Sequence, residues 1–163
     1  FDDLSTDAIV YDATNTDTID TWVPAAQLSL FKYELKSNEN SFTTAVQTSR
    51  DNGTTFFEQT LSISLKKQDQ AMHKNIKLLA YGRPRIIIRT MTDQFFLMGL
   101  AQGCDTTAGE ISSGAAMGDF NGYKLTFVAS EVLPANFIDV STEAALKTAF
   151  ADSAGADANI VTA

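Results

Sequence analysis

The stretch GDFNGYKLTFVASE, residues 118–131, decides the fold of this chain because a glycine-hinged loop becomes a two-faced strand within it. One face of that strand carries Tyr123, Leu125, Phe127 and Ala129. Alternation with a period of two is typical of a strand that buries one face and exposes the other. We therefore predict a strand over residues 122–130 whose aromatic and aliphatic face lies in the core.

A long β-hairpin is predicted upstream of this strand. Residues 57–65 alternate regularly, and a Thr-rich run over residues 42–49 precedes them. The residues between these runs are RDNG, residues 50–53, and Asn-Gly readily adopts the positive φ angles of a tight turn. The tip of this hairpin has few apolar groups to bury within its own domain, so we expect it to contact another chain.

One amphipathic helix is predicted after the hairpin, over residues 68–81. Apolar side chains recur there at i, i+4 and i+7, as Met72, Ile76 and Leu79, which places them on one helix face. Gly82 is predicted to supply a left-handed residue at the C-terminus of the helix, and the proline that soon follows prevents continuation.

The remaining segments complete a mainly β fold. We predict strands over residues 85–90 and 95–100, then a long glycine-rich loop over residues 101–120. A short C-terminal helix is expected with Ser141 as its N-cap. The predicted organisation has three parts: an acidic arm over residues 1–27 with a short strand at residues 8–11, a β domain over residues 28–140, and a helix and tail over residues 141–163.

Charge is distributed unevenly along the chain. The net charge is −8, but residues 66–89 contain seven basic side chains and one acid, so they carry +6 and the rest carries −14. Such asymmetry is typical of a nucleic-acid patch or of a positive surface that meets a negative one on a partner. A solvated helix face beside an edge strand is the simpler alternative. The overall acidity argues against high-affinity DNA binding.

The sequence contains no complete catalytic or metal-binding set. His73 is the only histidine, and no Ser, Thr or Cys lies near it between residues 66 and 89. Cys104 is the only cysteine, so an internal disulfide and a Cys/His zinc site are both excluded. The glycine loop lacks the phosphate-binding lysine of a P-loop. We therefore predict a protein that is not an enzyme and that has no catalytic, cofactor-binding or metal-binding residues, although a low-affinity cation site at the N-terminal acids stays open.

The chain shows no targeting or membrane signal. No apolar run approaches the ~20 residues of a membrane-spanning helix. The sequence starts at Phe1 rather than at a methionine, so we expect a missing or processed N-terminus and infer no targeting from this end.

Two segments carry a family resemblance: FFEQTLSISLKKQDQAMHKNIKLLAYGRPRIIIRT (residues 56–90) and TTAGEISSGAAMGDFNGYKLTFVASE (residues 106–131). The order is strand, Lys-rich helix, aliphatic strand, hairpin, glycine loop and closing strand. This order resembles the tail-tube-like domain of the major tail proteins and related virion proteins of tailed bacteriophages. The resemblance covers about residues 31–134, and SGAAMGDFNGYKLTF is its most specific part.

The resemblance implies a β-sandwich or barrel with one flanking helix. It implies subunits that assemble into rings, commonly of six, which stack into a tail tube. The implied partners are further copies of the chain, other phage tail or neck proteins, and DNA passing transiently through the lumen, with no membrane contact. The implied location is the virion, after assembly in the cytoplasm of the host bacterium. Two alternatives stay open: a neck, connector or head-attached phage ring protein, and a carbohydrate-binding β-sandwich module.

A subunit interface is predicted at three places that have unusual charge or little apolar surface. They are the hairpin tip (Arg50, Asp51, Asn52 and Gly53), three arginines of the basic block (Arg83, Arg85 and Arg89), and glycines of the long loop (Gly109, Gly114 and Gly118). The arginines are expected to pair with acids on the next subunit.

Overall fold

The computed structural model describes residues 8–116 and 118–162, and this part of the chain is mainly β, as the sequence predicted. It contains eleven strands and two helices. The strands are β1 (Ala8–Tyr11), β2 (Thr18–Val23), β3 (Ser29–Lys32), β4 (Ser41–Ser49), β5 (Thr54–Lys66), β6 (Ile86–Arg89), β7 (Phe95–Met98), β8 (Asp105–Ser112), β9 (Gly122–Glu131), β10 (Asn136–Ile138) and β11 (Asn159–Thr162). The helices are α1 (Gln70–Tyr81) and α2 (Glu143–Ala149).

The chain forms two compact units, each built from separate segments. The first unit contains the described chain up to Tyr33, Ile87–Leu97 and the described chain from Asn136 onward. The second unit contains Glu34–Ile86 and Met98–Ala135. The predicted three-part organisation over residues 1–27, 28–140 and 141–163 stays a prediction.

The second unit is built on a four-stranded antiparallel sheet with the strand order β4-β5-β9-β8. The predicted closing strand is β9, and its core face pairs with the core face of β5 through Tyr123 with Leu65, Leu125 with Ile63, and Phe127 with Leu61. Tyr123 is only 1% exposed. The alternation seen in the sequence therefore reports a real buried face.

Helix α1 belongs to the same unit and confirms the predicted helix. It contacts β8, Ile76 is buried, and the Tyr123 hydroxyl donates to the backbone oxygen of Asp69 at 3.5 Å. The prediction for Gly82 was wrong: its φ is −91°, in the extended region, while its N–H still bonds to Leu78 O at 3.0 Å. Arg83 immediately precedes Pro84, which disfavours helical backbone at Arg83, so the helix does not continue through it.

The first unit contains a five-stranded sheet with the order β1-β2-β10-β7-β6 and a parallel pair of β3 with β11. Trp22 of β2 is 4% exposed, and its ring centroid lies 5.5 Å from that of Phe150, just after α2. The N-cap of α2 is Thr142 rather than Ser141, because the Thr142 hydroxyl accepts the N–H of Ala145 at 3.1 Å.

Both ends of the described chain are more ordered than the sequence indicated. Residues 1–7 of the predicted acidic arm lie outside the described residues, whereas residues 8–23 form the β1–β2 strand pair, with Ile19 and Trp22 buried. Near the other end, β11 pairs along β3. Sequence periodicity could not show these partners because each strand is short and pairs with a distant segment.

The sheets described in residues 8–116 and 118–162 are open, and none of them closes into a barrel. A sandwich stays a prediction. Neither of the two described helices is long and apolar enough to span a membrane.

Candidate subunit interface

The tip of the β4–β5 hairpin lies beyond the rest of its sheet. β4 and β5 stay in register as far as Ser49 opposite Thr54, whereas the pairing of β5 with β9 ends at Phe57. All four predicted interface residues of the tip are exposed: Arg50, Asp51, Asn52 and Gly53. Gly53 has a φ of +62° and nothing within 4 Å of the position of a Cβ, so the predicted Asn-Gly turn is confirmed. Its role between subunits stays a prediction.

Strand β4 is an unprotected sheet edge. Its nine residues, SFTTAVQTS, contain no charge and no proline, and its register with β5 is continuous. Within the described residues no strand lies along its outer side. Val46 in its middle is 61% exposed. Natural proteins usually protect such an edge with a charge, a proline or a bulge, because its unpaired N–H and C=O groups can bind another strand.

The strand at the opposite edge, β8, was not predicted from the sequence. Residues 105–112 were predicted to be part of a loop, but they pair with Gly122–Val128 of β9, with an irregularity between Thr106 and Ala108. Gly109 therefore lies on a strand, where a Cβ would approach Leu125 Cδ2 to 3.3 Å. Because most side chains of β8 are exposed, no apolar alternation marks this strand in the sequence.

The remaining part of the predicted loop is a turn that Asp119 organises. Its Oδ2 accepts the N–H groups of Ala115 and Ala116 at 2.8 and 2.7 Å, and these bonds hold the pKa of Asp119 below its ordinary value. Gly114 has a φ of +71°, and a Cβ there would lie 2.9 Å from Asp119 Cβ. Gly118 has open space around it. The glycines permit a defined turn rather than a freely hinged loop.

The three arginines of the predicted interface all have partners in their own chain. Arg83 Nε lies 2.8 Å from Asp105 Oδ1, and Arg85 Nε donates to the backbone oxygen of Leu100 at 3.0 Å. Arg89 lies 2.7 Å from a carboxylate oxygen of Asp93, four residues later. These partners were missed, although the spacing of Arg89 and Asp93 around a turn was visible in the sequence. Pairing of the arginines with a neighbouring subunit stays a prediction.

Two buried polar side chains organise the end of the second unit's sheet. Glu131 Oε1 accepts the N–H groups of Ala101 and Gln102 at 3.1 and 2.8 Å. Gln59 accepts the N–H of Gly99 at 3.2 Å and donates to the backbone oxygen of Leu133 at 3.3 Å. Both lie at positions on the core face of their strands. Their place in the alternation was the sequence signal that could have predicted their burial. They bind backbone, so their role here is to fix a turn.

Cys104 lies within this same turn and is fully buried. Burial and the nearby Glu131 carboxylate raise the pKa of its thiol to about 12. Thiols act as nucleophiles through the thiolate, so this arrangement disfavours reactivity.

His73, the only histidine, is exposed on α1, with its ring centroid 6.2 Å from that of Tyr123. The residues that the structure describes contain no group of three or more His, Cys, Asp or Glu side chains that could hold a metal ion. The expectation of a non-catalytic protein stays a prediction.

Comparison of the chain with protein-family models, with curated proteins and with solved structures gives no match.

Proposed function

We propose that this chain is a structural virion protein of a tailed bacteriophage, and that it self-assembles into stacked, six-membered rings that form the tail tube through which DNA passes. The observation that carries the proposal is the open four-stranded sheet, with β4 at one edge and β8 at the other. The resemblance of residues 31–134 to the tail-tube-like domain of phage virion proteins is the reason for proposing a virion protein. We propose in addition that the fold is a tail-tube-like β-sandwich.

In a ring, both open edges of this sheet would pair with a neighbouring copy. When the β4 edge of one copy meets the β8 edge of the next, the contact joins two different surfaces, and repetition of such a contact closes into a ring if the rotation allows it. β4 has nine residues and β8 has eight, so their lengths match. The lack of charge on β4 means that no like-charge repulsion opposes the carboxylates of Asp105 and Glu110 on β8.

The exposed face of the sheet suits a lumen that conducts DNA. Its middle is rich in hydroxyl groups, and its lysines are few. The hydroxyl-bearing residues that β5 and β9 place on that face without burying them are Thr60, Ser62, Thr126 and Ser130. Lys124 on the same face is paired with Glu39 at 3.3 Å. Tight binding to DNA depends on neutralising phosphates with free cations, so this face would let a duplex slide.

Imaging of the purified full-length chain by negative-stain electron microscopy tests the proposal. Long striated tubes would support a tail tube, single rings would favour the neck or connector alternative, and monomers at high protein concentration would contradict both. The carbohydrate-binding alternative stays a prediction: the sole tryptophan, Trp22, is buried, whereas other aromatic rings such as Tyr81 are exposed.

A further inference from the structure

We propose that the exposed stripe of α1 binds the acidic β1–β2 turn of a second copy of this chain. The helix stripe consists of Lys74, Lys77, Leu78 and Tyr81, and the acidic turn consists of residues 11–17 with Tyr11, Asp12 and Asp17 as its contact residues. The inference rests on the self-association in the proposed function and names one of its contacts.

The helix stripe is a continuous surface with an unusual composition. Its residues are spaced i, i+3, i+4 and i+7, so they lie on one face of the helix. Leu78 is 62% exposed and Tyr81 is 84% exposed, while Ile76 on another face of the helix is buried. A large apolar pair flanked by two lysines is typical of a surface that binds an acidic and partly apolar partner.

The charge of the stripe is not neutralised within the described residues. The arginines of the basic block have partners in their own chain, as Arg83 with Asp105 and Arg89 with Asp93 show. Neither Lys74 nor Lys77 lies in an ion pair of the described part of the chain. Lys74 and Lys77 therefore leave positive charge on the helix stripe that is available for a partner.

The acidic turn has the complementary composition. The first basic residue of the whole sequence is Lys32, so no cation in its own segment opposes Asp12 and Asp17. Asp12 Oδ1 accepts the N–H groups of Thr14 and Asn15, both at 2.7 Å. These bonds fix the turn and lower the pKa of Asp12, so its carboxylate is ionised at neutral pH.

An exposed aromatic side chain accompanies these acids. Tyr11 is exposed immediately before Asp12, so the turn can offer a ring to Leu78 or Tyr81 while its carboxylates meet the two lysines. Four other acids are less suited to the stripe because they already have basic partners: Asp93 with Arg89, Asp105 with Arg83, Glu143 with Lys32 and Glu39 with Lys124. The contact joins unlike surfaces, so it repeats from copy to copy in an assembly.

Disulfide cross-linking between two copies tests the contact directly. Asn15→Cys places a thiol on the exposed turn, and Ala80→Cys places one on the exposed part of α1 beside the stripe. Cys104 is buried and does not compete. After mild oxidation of an equimolar mixture of the two full-length variants, we expect a 15–80 heterodimer on a non-reducing gel.

The matched control replaces Ala80→Cys with Asn38→Cys, which is also exposed and lies outside the predicted interface. A 15–80 yield that does not exceed the 15–38 yield would overturn the proposal, since both would then report random collision. A 15–80 yield that exceeds it supports the proposal.

Charge reversal separates this contact from general electrostatic attraction. Lys77→Glu should lower the 15–80 yield about threefold to tenfold, because exposed ion pairs are individually weak. The same change at exposed Lys36, which lies 4.0 Å from Glu34, should leave it unchanged. Adding Asp17→Lys to the Asn15→Cys partner should restore the yield with Lys77→Glu. Equal losses from both lysine changes, or no restoration, would contradict the inference.

The cross-linking experiment tests this contact, and the electron micrographs test the proposed function, so the two proposals can be refuted separately. Rings or tubes without the 15–80 cross-link would refute this contact and leave the proposed function standing. The cross-link without rings or tubes would support this contact and refute the proposed function.

Discussion

Substitution of Val46 by lysine places a charge in the middle of the uncharged β4 edge. Val46 is 61% exposed and lies opposite Phe57 of β5. A cross-strand pair contributes about 0.2–1 kcal/mol, so we expect the Val46→Lys monomer to lose about 1 kcal/mol of unfolding free energy at most. The variant should therefore fold.

The effect on assembly should be larger than the effect on folding. Full burial of a valine side chain is worth roughly 1.5–3 kcal/mol, and 61% of this side chain is still exposed in the single chain. Covering it against a neighbouring β8 would thus contribute about 1–2 kcal/mol per contact. Lysine forfeits that gain, and its ammonium group must stay hydrated at the edge, which is how natural edge strands resist pairing.

A loss of about 1–2 kcal/mol corresponds to a roughly 5- to 30-fold rise in the protein concentration needed for half-assembly. Sedimentation velocity over a concentration series measures that shift, and urea unfolding of the monomer checks its stability. Val46→Thr is the matched control, because threonine keeps the branched shape without the charge, and it should assemble close to the parent. Assembly of Val46→Lys at the parent concentration would refute the edge-pairing argument.

Three further outcomes are expected. Glu131→Ala should lower the unfolding free energy by about 1–3 kcal/mol, because two part-buried hydrogen bonds to backbone N–H groups lose their acceptor; Glu58→Ala on the other face of the sheet should cost less than about 1 kcal/mol in the same urea titration, and equal losses would contradict the assignment. Since the pKa of Cys104 is raised to about 12, only about one thiol in 10,000 is ionised at pH 8, so a thiol reagent should label it only in urea, whereas fast labelling of the native chain would show that the site opens. His73→Gln should leave particle assembly and infectivity unchanged, and intact but non-infectious particles would contradict a purely structural role.

The sequence predicted those elements whose side chains alternate between a buried and an exposed face. β5 and β9 show this alternation because their core faces pair with one another. The Asn-Gly turn and α1 also follow from local chemistry, through the positive φ of Gly53 and the apolar spacing around Ile76. Local pattern therefore sufficed for most of the second unit.

The elements that the sequence missed are held by partners that alternation of side chains does not reveal. β8 exposes most of its side chains and is held by pairing with β9, so its pattern is that of a polar loop. β2 is short and contains one acid, Asp20, and Trp22 on it packs against a ring more than 120 residues later in the chain. The interface arginines were recognised as unusual, but the partners of Arg83 and Arg85 lie 15 or more residues away in the sequence and are brought near by the fold.

Hydrogen exchange of the β4 amides tests the joining of copies through the sheet edges most directly. The exchange rates of residues 41–49 are compared between the assembled parent chain and the monomeric form at low concentration. Outward-facing N–H groups of an edge strand exchange readily unless a neighbouring strand accepts them. We predict strong new protection on assembly of those amides within residues 41–49 that point away from β5. Assembled particles in which these amides exchange as fast as in the monomer would contradict pairing through β4.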